Sequence, residues 1–547
     1  MKATVCLGCV GALACAVPAA LASTNVGGPI LTHTTWDLAG SPYIVTSSVI
    51  VGNGATLTIE PGVEVRFNPG LGLTVGYAGF PPNGKLVARG TSGSPILFTS
   101  NTTQQPGAWA RIHFTDYAVD AVYDAQGNYV SGSILEHVTI EYAGAGTNVA
   151  AVTVESSSPG LDHVRVHDST YRGISIVTGS APIERIRDCE IWNIAGDGLY
   201  VSGGTAGHVI TGNYVHDCAA AGMYLDSACL VLGNTIADNL GGVYVGGSNS
   251  TLTDNVITSN TGYYGGVYVG GSNCTLSGNT IMANAATYYV GGVYVAGSSC
   301  SLIANTIVGN TSYYGGVHGG GIYVGGSNCT LALNTITGNS ADYRGGGIYV
   351  YGSNCALTEN LIMNNAADNG GAIWFQTQAT TMSQCVVMWN HSTDSGAGAI
   401  YIQSYPVNLG GDPNSGAYNI ISCNDATYQI YNAVPFNASG ANDVHAEYVR
   451  WRSNDPQDIS AYIYDFFDDA SKSTVLWHPL VARVPGDMNC DGAVDFDDIN
   501  PFVLALTGFD AYYAAYPDCN WYHADCDGDC AVDFYDINVF VALLSGS

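Results

Sequence analysis

Two acidic stretches near the end of the chain carry the side chains with the clearest chemistry. Residues 487–498 read DMNCDGAVDFDD and residues 525–536 read DCDGDCAVDFYD. Calcium prefers about six to eight oxygen ligands from a flexible loop, in which positions 1, 3, 5, 7 and 12 are donors. In loop 1 (487–498) and loop 2 (525–536) the donors would be Asp487, Asn489, Asp491, the Ala493 carbonyl, Asp498, Asp525, Asp527, Asp529, the Ala531 carbonyl and Asp536. The spacing predicts two calcium sites.

The two loops are not equivalent in sequence. Loop 1 has Gly492 at position 6, where the chain must turn sharply, whereas loop 2 has Cys530 there and Gly528 at position 4. A side chain at a turn that favours glycine is strained, so we expect the second calcium site to be the weaker one. An apolar segment follows each loop, INPFVLALTG and INVFVALLSG, and each is predicted to form a helix.

Tandem loops with one exiting helix each and an Asp at position 12 resemble a type I dockerin, in the planctomycete-like variant that has Cys inside the loops. The resemblance covers residues 485–547, called the module below. It implies a cohesin-like or other surface protein as partner. However, the partner-contact positions 10 and 11, often Ser/Thr in dockerins, are Phe496-Asp497 and Phe534-Tyr535 here.

Four cysteines lie in the module, namely Cys490, Cys519, Cys526 and Cys530. An exported module of this size favours disulfides, and four cysteines allow three pairings. We favour Cys490–Cys519 with Cys526–Cys530.

A sequence repeat occupies the middle of the chain, before the module. Of 547 residues, 70 are Gly and 36 are Tyr, and only 11% are charged. The phrase GGVYV or GGIYV occurs at 241–245, 265–269, 291–295, 320–324 and 346–350, with weaker copies at 198–201, 222–225, 371–375 and 398–402. The period of about 20 to 29 residues, rich in turn and strand formers, predicts one coil of a β-solenoid per repeat.

Two further columns follow from stacking the coils. Asn followed two residues later by Ile or Val recurs at Asn213, Asn234, Asn255, Asn279, Asn305, Asn334 and Asn360. Five residues before six of these lie Cys229, Ser250, Cys274, Cys300, Cys329 and Cys355. Because like residues stack about 4.8 Å apart, we predict an amide ladder and a column of buried free thiols.

Strand alternation also predicts an aromatic row. In GGVYV the valines share one face, so the tyrosines point outward. The row contains Tyr200, Tyr224, Tyr244, Tyr268, Tyr294, Tyr323, Tyr349, Trp374 and Tyr401. Such a row, roughly 40 Å long at sheet spacing, could bind an extended polysaccharide through its ring faces. The alternative is a stacked ladder that only stabilises the sheet.

These repeats, with strand-like segments such as ATLTIEPGVEVRFN at 55–68 and LDHVRVHDSTYRGISI at 161–176, resemble the pectate-lyase-like superfamily of right-handed parallel β-helices. The GG-aliphatic repeats are also similar to those of chlamydial-type polymorphic outer membrane proteins. The resemblance covers residues 45–435 and implies a fold, not an activity. We therefore expect an all-β, right-handed parallel β-helix followed by a small α-helical module. The expected divisions are a cap with first coils at 23–134, regular coils at 135–435, and a second cap with a linker (476–487) at 436–484.

One charged cluster lies in the early coils and is the only candidate for catalysis. Its candidates are His163, Arg165, His167, Asp168, Glu184 and Asp188, which could supply an acid, a base and a cation. The alternative is cross-strand ion pairing on an exposed sheet. Between Asp188 and Arg450 the only basic residue besides His is Arg344, so the regular coils lack the base of a lyase. We expect a noncatalytic protein; the alternative is a polysaccharide lyase or glycoside hydrolase with its site near residues 136–190.

The remaining features concern export. Residues 1–22 read as a signal peptide, with Lys2, an apolar run and a cleavage site after Ala22; a lipoprotein anchor at Cys15 is the rival interpretation. No later run is long and apolar enough to span a bilayer. The formal net charge of −30 excludes nucleic acid as a partner. The protein is predicted to be secreted or displayed on the cell surface.

Overall fold

Short strands with alternating apolar residues wind into a parallel β-solenoid of about 14 turns. The computed structural model describes residues 23–177, 179, 185–204, 207–313, 319–394, 396–412, 417–516 and 519–546. The predicted signal peptide and Glu184 lie outside these residues. The inward residues of each coil are almost uniformly aliphatic and buried, and they form one continuous core from Trp36 to Val475.

Three parallel sheets make up the solenoid. The tyrosine sheet contains Leu73–Val75, Ile112–Phe114, Ala150–Glu155, Arg172–Val177, Leu199–Ser202, Ala221–Leu225, Gly241–Val245, Val267–Val269, Val293–Val295, Ile322–Val324, Ile348–Val350, Ile373–Phe375, Gly398–Ile402, Tyr428–Asn432 and Ile463–Tyr464. The middle sheet contains Thr34–Trp36, Thr56–Ile59, Lys85–Arg89, Arg185–Arg187, His208–Thr211, Cys229–Leu232, Thr251–Thr253, Thr275–Ser277, Ser301–Ile303, Thr330–Ala332, Ala356–Thr358 and Thr381–Ser383.

The histidine sheet completes each coil. It contains Glu64–Phe67, Ile96–Ser100, Glu190–Ile194, Tyr214–Cys218, Thr235–Ala237, Val256–Thr258, Thr280–Met282, Thr306–Val308, Thr335–Thr337, Leu361–Met363, Val386–Met388 and Ile420–Ser422. Four longer strands turn a corner and belong to two sheets each, namely Thr24–Ile30, Tyr43–Val51, Ile134–Glu141 and Gly160–Ser169.

Minor elements decorate the coils. A corner ribbon is formed by Thr261–Gly262, Ala285–Ala286, Thr311–Ser312, Ser340–Ala341, Ala366–Ala367 and His391–Ser392. Val122–Tyr123 pairs with Tyr129–Ser131, and Val444–His445 pairs with Val475–Leu476. The helices are α1 (Pro456–Ala461), α2 (Ile499–Ala505), α3 (Phe509–Ala515) and α4 (Asp536–Leu544), with 3-10 turns at Leu38–Gly40, Phe496–Asp498 and Trp521–Ala524. None of the helices in the described residues has the length and apolar character needed to cross a membrane.

The predicted amide ladder is present at the corner between the middle and histidine sheets. The Asn279 side chain donates to Asn305 Oδ1 at 2.9 Å, and the Asn279 backbone N–H donates to the same oxygen at 3.0 Å. Asn279 Nδ2 also donates to the Leu252 carbonyl at 2.9 Å. Each amide thus satisfies backbone groups that a buried corner would otherwise leave unpaired.

A second ladder, which the sequence analysis missed, lies at the corner between the histidine and tyrosine sheets. Its members are Asn239, Asn260, Asn284, Asn310, Asn339, Asn365, Asn390 and Asn424. The third corner holds the predicted column of Cys229, Ser250, Cys274, Cys300, Cys329 and Cys355, whose thiols are buried and unbonded to one another. Three corners are therefore fixed by three columns of short polar or soft side chains.

In the coils between Ser250 and Asn365, coil length varies at one corner only. Five residues separate Cys300 from Asn305, and five more lead to Asn310, as in the neighbouring coils. From the second ladder to the aromatic row the step is 5 residues for Asn239 to Tyr244, but 13 for Asn310 to Tyr323. The additional residues project from the solenoid beside the tyrosine sheet.

Residues 436–484 pack at the end of the solenoid and contribute its last strand. Helix α1 buries Ile459, and Ile463–Tyr464 adds a last strand to the tyrosine sheet. The segment expected to be a free linker is partly held, because Val475–Leu476 pairs with Val444–His445 and the Val481 N–H donates to the Val449 carbonyl. α2 and α4 form where helices were predicted, whereas α3 was not predicted.

Candidate functional site

The outward side chains of the tyrosine sheet form one stacked row. In-register pairing places Tyr200, Tyr224, Tyr244, Tyr268, Tyr294, Tyr323, Tyr349, Trp374 and Tyr401 directly above one another, and Tyr431 and Tyr464 extend the row. Ring centroids of successive members lie 3.9 to 6.2 Å apart, with planes within 20° of parallel. This stacking agrees with the ladder interpretation, and because each ring face lies against the next ring, a ligand on the row would contact ring edges and hydroxyl groups.

The row is open along only part of its length, and this corrects the expected exposure of all nine rings. Tyr323, Tyr349 and Trp374 are 8%, 0% and 3% exposed. They are covered by the inserted residues of the long coils, since buried Val290 and half-buried Tyr289 pack on them. The Arg344 guanidinium also lies 4.4 Å from the Trp374 ring. These three rings cannot contact a large ligand.

From Tyr200 to Tyr294 the rings remain half-buried at the surface. A shallow cavity lies along this segment, lined by Ala221, Tyr224, Leu240, Gly241, Gly242, Val243, Tyr244, Tyr263, Tyr264 and Tyr268. Tyr264 packs on Tyr268 with 4.5 Å between ring centroids and stacks on Tyr289 at 4.9 Å. The open row is therefore bounded at one end by a wall of inserted tyrosines.

The other end of the open row is marked by a cation. The Arg172 guanidinium lies 3.3 Å from the centre of the Tyr200 ring, and Arg172 Nε lies 3.1 Å from Asp197 Oδ2. Burial raises the pKa of Tyr224 to about 12, so its hydroxyl is a protonated donor at neutral pH. The segment offers ring edges and hydroxyl groups beside a shallow cavity.

The charged cluster of the early coils is brought together, but its members are paired. His167 Nδ1 lies 2.7 Å from Asp168 Oδ2, and His167 Nε2 lies 3.5 Å from Glu141 Oε2. Arg165 Nε lies 3.1 Å from Glu190 Oε2. This is the geometry of cross-strand ion pairing.

A second part of the cluster borders a cavity. His163 Nδ1 lies 2.5 Å from Asp162 Oδ1, Arg187 pairs with Asp162, and Arg187 Nε lies 3.6 Å from Asp188 Oδ2. The cavity is lined by Thr91, Ser92, Pro95, His137, Val138, Thr139, His163, Arg165, Asp188 and Glu190. His163, Arg165 and Asp188 thus converge, whereas His167 and Asp168 do not line this cavity.

Loop 1 has the shape of an ion-binding turn. The Asp498 carboxylate accepts from the Met488 and Asn489 N–H groups at 2.6 and 3.0 Å. Asp487 Oδ2 accepts from the Gly492 N–H at 3.1 Å. The other Asp487 oxygen is buried and has no hydrogen-bond partner among the described residues. Burial raises the pKa of Asp487, which a bound cation would reverse. The residues present fit a calcium ion.

Loop 2 repeats this backbone shape. Asp536 Oδ1 accepts from the Cys526 and Asp527 N–H groups at 2.7 and 3.2 Å. Carboxylate oxygens of Asp525, Asp527 and Asp536 lie within 4.8 Å of one another. Cys530 takes the left-handed backbone conformation expected of a glycine, with φ of 77°. Burial raises the pKa of Asp525 and of Asp536.

The disulfides differ in part from those expected. Cys490 is bonded to Cys519, as favoured. The predicted Cys526–Cys530 pair is wrong, because Cys530 is bonded to Cys423 in the solenoid and Cys526 is free. Cys423 lies 107 residues before its partner and outside the module, so local spacing gave no signal for it.

The chain contains pectate-lyase-like right-handed β-helix domains. Residues 28–153 match the family model described as a pectate-lyase like beta helix domain, and residues 150–312 match the one described as a right handed beta helix region. A curated relative, the protein bark beetle of Drosophila melanogaster, is 40% identical over 76 residues, which are 14% of this chain and 2% of that protein.

Solved structures similar to the chain were also found. The mannuronan C-5 epimerase AlgE6 A-module of Azotobacter vinelandii is 14% identical, with 70% of this chain and 88% of that chain covered and a TM-score of 0.30. The DFA-IIIase of Arthrobacter chlorophenolicus A6 is 12% identical, with 78% and 90% covered and a TM-score of 0.26. The receptor-binding tailspike protein of bacteriophage Det7 is 12% identical, with 65% and 70% covered and a TM-score of 0.24.

Proposed function

We propose that this chain, a right-handed β-helix joined to a small C-terminal module, is a secreted, noncatalytic protein that binds a polysaccharide on the open part of its aromatic row. The observation that supports it best is the run from Tyr200 to Tyr294, whose rings stack in register and stay accessible. The exposed ring edges and hydroxyl groups can contact the apolar surface and hydroxyl groups of sugars, and the row repeats on the length scale of an extended sugar chain.

The charge of the protein narrows the ligand class. The net charge is −30, and Asp226 contributes to the acidic surroundings of the open row, since its carboxylate lies beside Gly246 next to Tyr244. An anionic polysaccharide would be repelled from such a surface. We therefore expect a neutral polysaccharide.

The module would attach the solenoid to a partner and would hold calcium. Asp487, Asn489, Asp491, the Ala493 carbonyl and Asp498 would hold one ion, and the corresponding residues of loop 2 would hold a second. Calcium would neutralise the buried carboxylates and fix the loops. A cohesin-like or other surface protein would contact the side chains that the module exposes, Phe496, Val503, Phe534, Tyr535 and Val541, which are 78%, 55%, 78%, 76% and 54% exposed.

The decisive experiment compares polysaccharide binding by variants in the open part of the aromatic row with binding by a variant outside it. Tyr224→Ser and Tyr244→Ser should each weaken retention on an insoluble neutral polysaccharide about fivefold, because each removes an aromatic contact worth about 1 kcal/mol. Tyr431→Ser is the matched control, since Tyr431 is a half-buried member of the same row outside the open segment. Equal retention of all three variants, with unchanged circular dichroism, would refute the proposal.

The same preparation tests the alternative of an enzyme. Purified mature protein should release no reducing or unsaturated ends from the bound polysaccharide. If ends are released, and release is lost in His163→Ala or Asp188→Asn, the protein is a polysaccharide lyase or hydrolase with its site at the cavity near residues 136–190.

Attachment is tested separately. Phe534→Ser should reduce calcium-dependent retention of the protein on cell-surface preparations, whereas Tyr224→Ser should not. Retention that persists in chelator and in Phe534→Ser would exclude the module as the attachment site.

A further inference from the structure

The module is not a free appendage, because loop 2 is fastened to the solenoid. Cys530 is bonded to Cys423, and Trp389 Nε1 donates to the Cys530 carbonyl at 3.0 Å. Arg452 Nη2 donates to the Gly528 carbonyl at 2.9 Å. Residues from the last coils and the closing segment thus converge on positions 4 and 6 of a single loop.

Loop 1 is held differently. Its polar contacts run within the module, where the Tyr512 hydroxyl donates to the Met488 carbonyl at 2.7 Å and Cys490 is bonded to Cys519. The His523 ring lies 2.6 Å from the Asp487 carbonyl through Nδ1. The two loops share a shape, but only loop 2 is tied by covalent and hydrogen bonds to the solenoid among the contacts described.

An arginine supplies a positive charge to loop 2. Arg483 Nη2 lies 3.2 Å from Asp525 Oδ2, with Arg483 11% and Asp525 0% exposed at the side chain. Arg483 is fixed by its backbone, because its N–H donates to Asn454 Oδ1 at 2.9 Å and its carbonyl accepts from Asn454 Nδ2 at 3.1 Å. A buried ion pair held in this way is screened little by solvent.

We infer that loop 2 serves mainly to dock the module on the solenoid, and that Arg483 makes it the weaker calcium site. The inference rests on the proposed calcium binding. Loop 2 has four acidic donors, Asp525, Asp527, Asp529 and Asp536, against three in loop 1, so by charge alone it would bind calcium more tightly. The guanidinium of Arg483 already neutralises Asp525 at position 1, and a calcium ion must compete with it. Cys530, at position 6 of loop 2, forms the disulfide bond to Cys423, which also indicates a docking role for this loop.

The test is isothermal titration calorimetry, in which calcium chloride is added to the calcium-depleted, full-length mature protein and the affinity of each site is measured. The wild type should show one tight site and a second site at least tenfold weaker. Asp487→Asn should remove the tight site and Asp525→Asn the weak one. Arg483→Gln should tighten the weak site at least tenfold and leave the tight site within twofold, whereas Arg483→Lys, which keeps the charge, should resemble the wild type.

Arg452→Gln is the matched control, since it removes an equal charge beside the same loop without touching a carboxylate in the described contacts. If Arg452→Gln tightens the weak site as much as Arg483→Gln does, net charge and not the Arg483–Asp525 pair is responsible, and the inference is wrong. Two wild-type sites within threefold of each other, or an unchanged weak site in folded Arg483→Gln, would also overturn it. A wild type that binds no calcium would instead refute the calcium binding that the proposed function assumes.

Discussion

The solenoid and the module achieve order in opposite ways. In the regular coils of the solenoid, successive coils pair through the same few side chains, so Asn305 meets Asn279 and Asn334 in nearly the same geometry. The module is too small for a repeating core and depends on disulfides and carboxylate-capped loops. The comparison teaches that the regular coils are stabilised by neutral, repeated contacts, whereas we expect the stability of the module to depend on redox state and on the proposed calcium ions.

The largest effect is expected where the repeated contact is broken. Asn305→Ala removes the acceptor of the buried Asn279 N–H and a donor to the Leu276 carbonyl. Because unsatisfied buried groups cost about 1–3 kcal/mol each, we expect a loss of about 4 kcal/mol in the solenoid. Calorimetry should show a lowered main transition, and the exposed neighbour Thr306→Ala should leave it unchanged; equal transitions would show that the ladder is dispensable.

The second-largest effect is expected at the contact between the solenoid and the module. Cys423→Ser removes the bond to Cys530 and should destabilise the docked module by about 3 kcal/mol, since a long loop in the unfolded chain is no longer closed. Proteolysis between residues 476 and 487 should accelerate while the solenoid stays resistant. Cys526→Ser changes a free thiol of the same module and is the control. Unaltered proteolysis of Cys423→Ser would mean that packing alone holds the module.

Removal of calcium should destabilise the module and leave the stability of the solenoid unchanged. Without calcium the buried Asp487 and Asp498 carboxylates repel each other. The free energy of unfolding of the module should therefore be about 2 kcal/mol lower in chelator than in moderate excess calcium. Hydrogen exchange of residues 487–505 should accelerate, whereas exchange of residues 229–360 should not. Equal rates with and without calcium would contradict an ion in loop 1.

The smallest effect concerns pH within the solenoid. His208 is fully buried at the start of the thiol column, and burial lowers its pKa. The unfolded chain then binds more protons than the folded chain, so stability falls as the pH drops below the ordinary histidine value of about 6.5. The melting temperature of His208→Cys should fall less than that of the wild type between about pH 7.5 and pH 5.5. Equal falls would exclude His208 as a source of acid sensitivity.

Much of the solenoid was predictable because its signals repeat. The Asn-x-Ile pattern and the GGVYV phrase identified one ladder, the thiol column and the aromatic row at the right residues. The second ladder carried the same spacing, five residues after the first, but its Asn is followed by no fixed residue type. The cover over Tyr323 and Tyr349 was not predicted, although Tyr-Tyr recurs in the insertions at 263–264, 288–289 and 313–314, because the insertions break the regular spacing of the repeat.

The module was predictable only within itself. The turns of loops 1 and 2 and the Cys490–Cys519 bond agree with the predictions made from local patterns, and the calcium ligands stay a prediction. The docking could not be derived, since Cys423, Trp389 and Arg452 meet loop 2 only through the tertiary structure. Contacts between a repeat and a non-repeat leave no periodic trace in the sequence.

The confinement of length variation to one corner in the coils between Ser250 and Asn365 makes this part of the solenoid readily adaptable during evolution. Residues can be gained or lost between Asn310 and Tyr323 while the spacing from Cys300 to Asn310 stays fixed. Duplication of a coil extends the row, and a longer insertion raises a wall over it. Selection could therefore reshape the surface above the tyrosines step by step, and each intermediate would retain a fully paired corner and core.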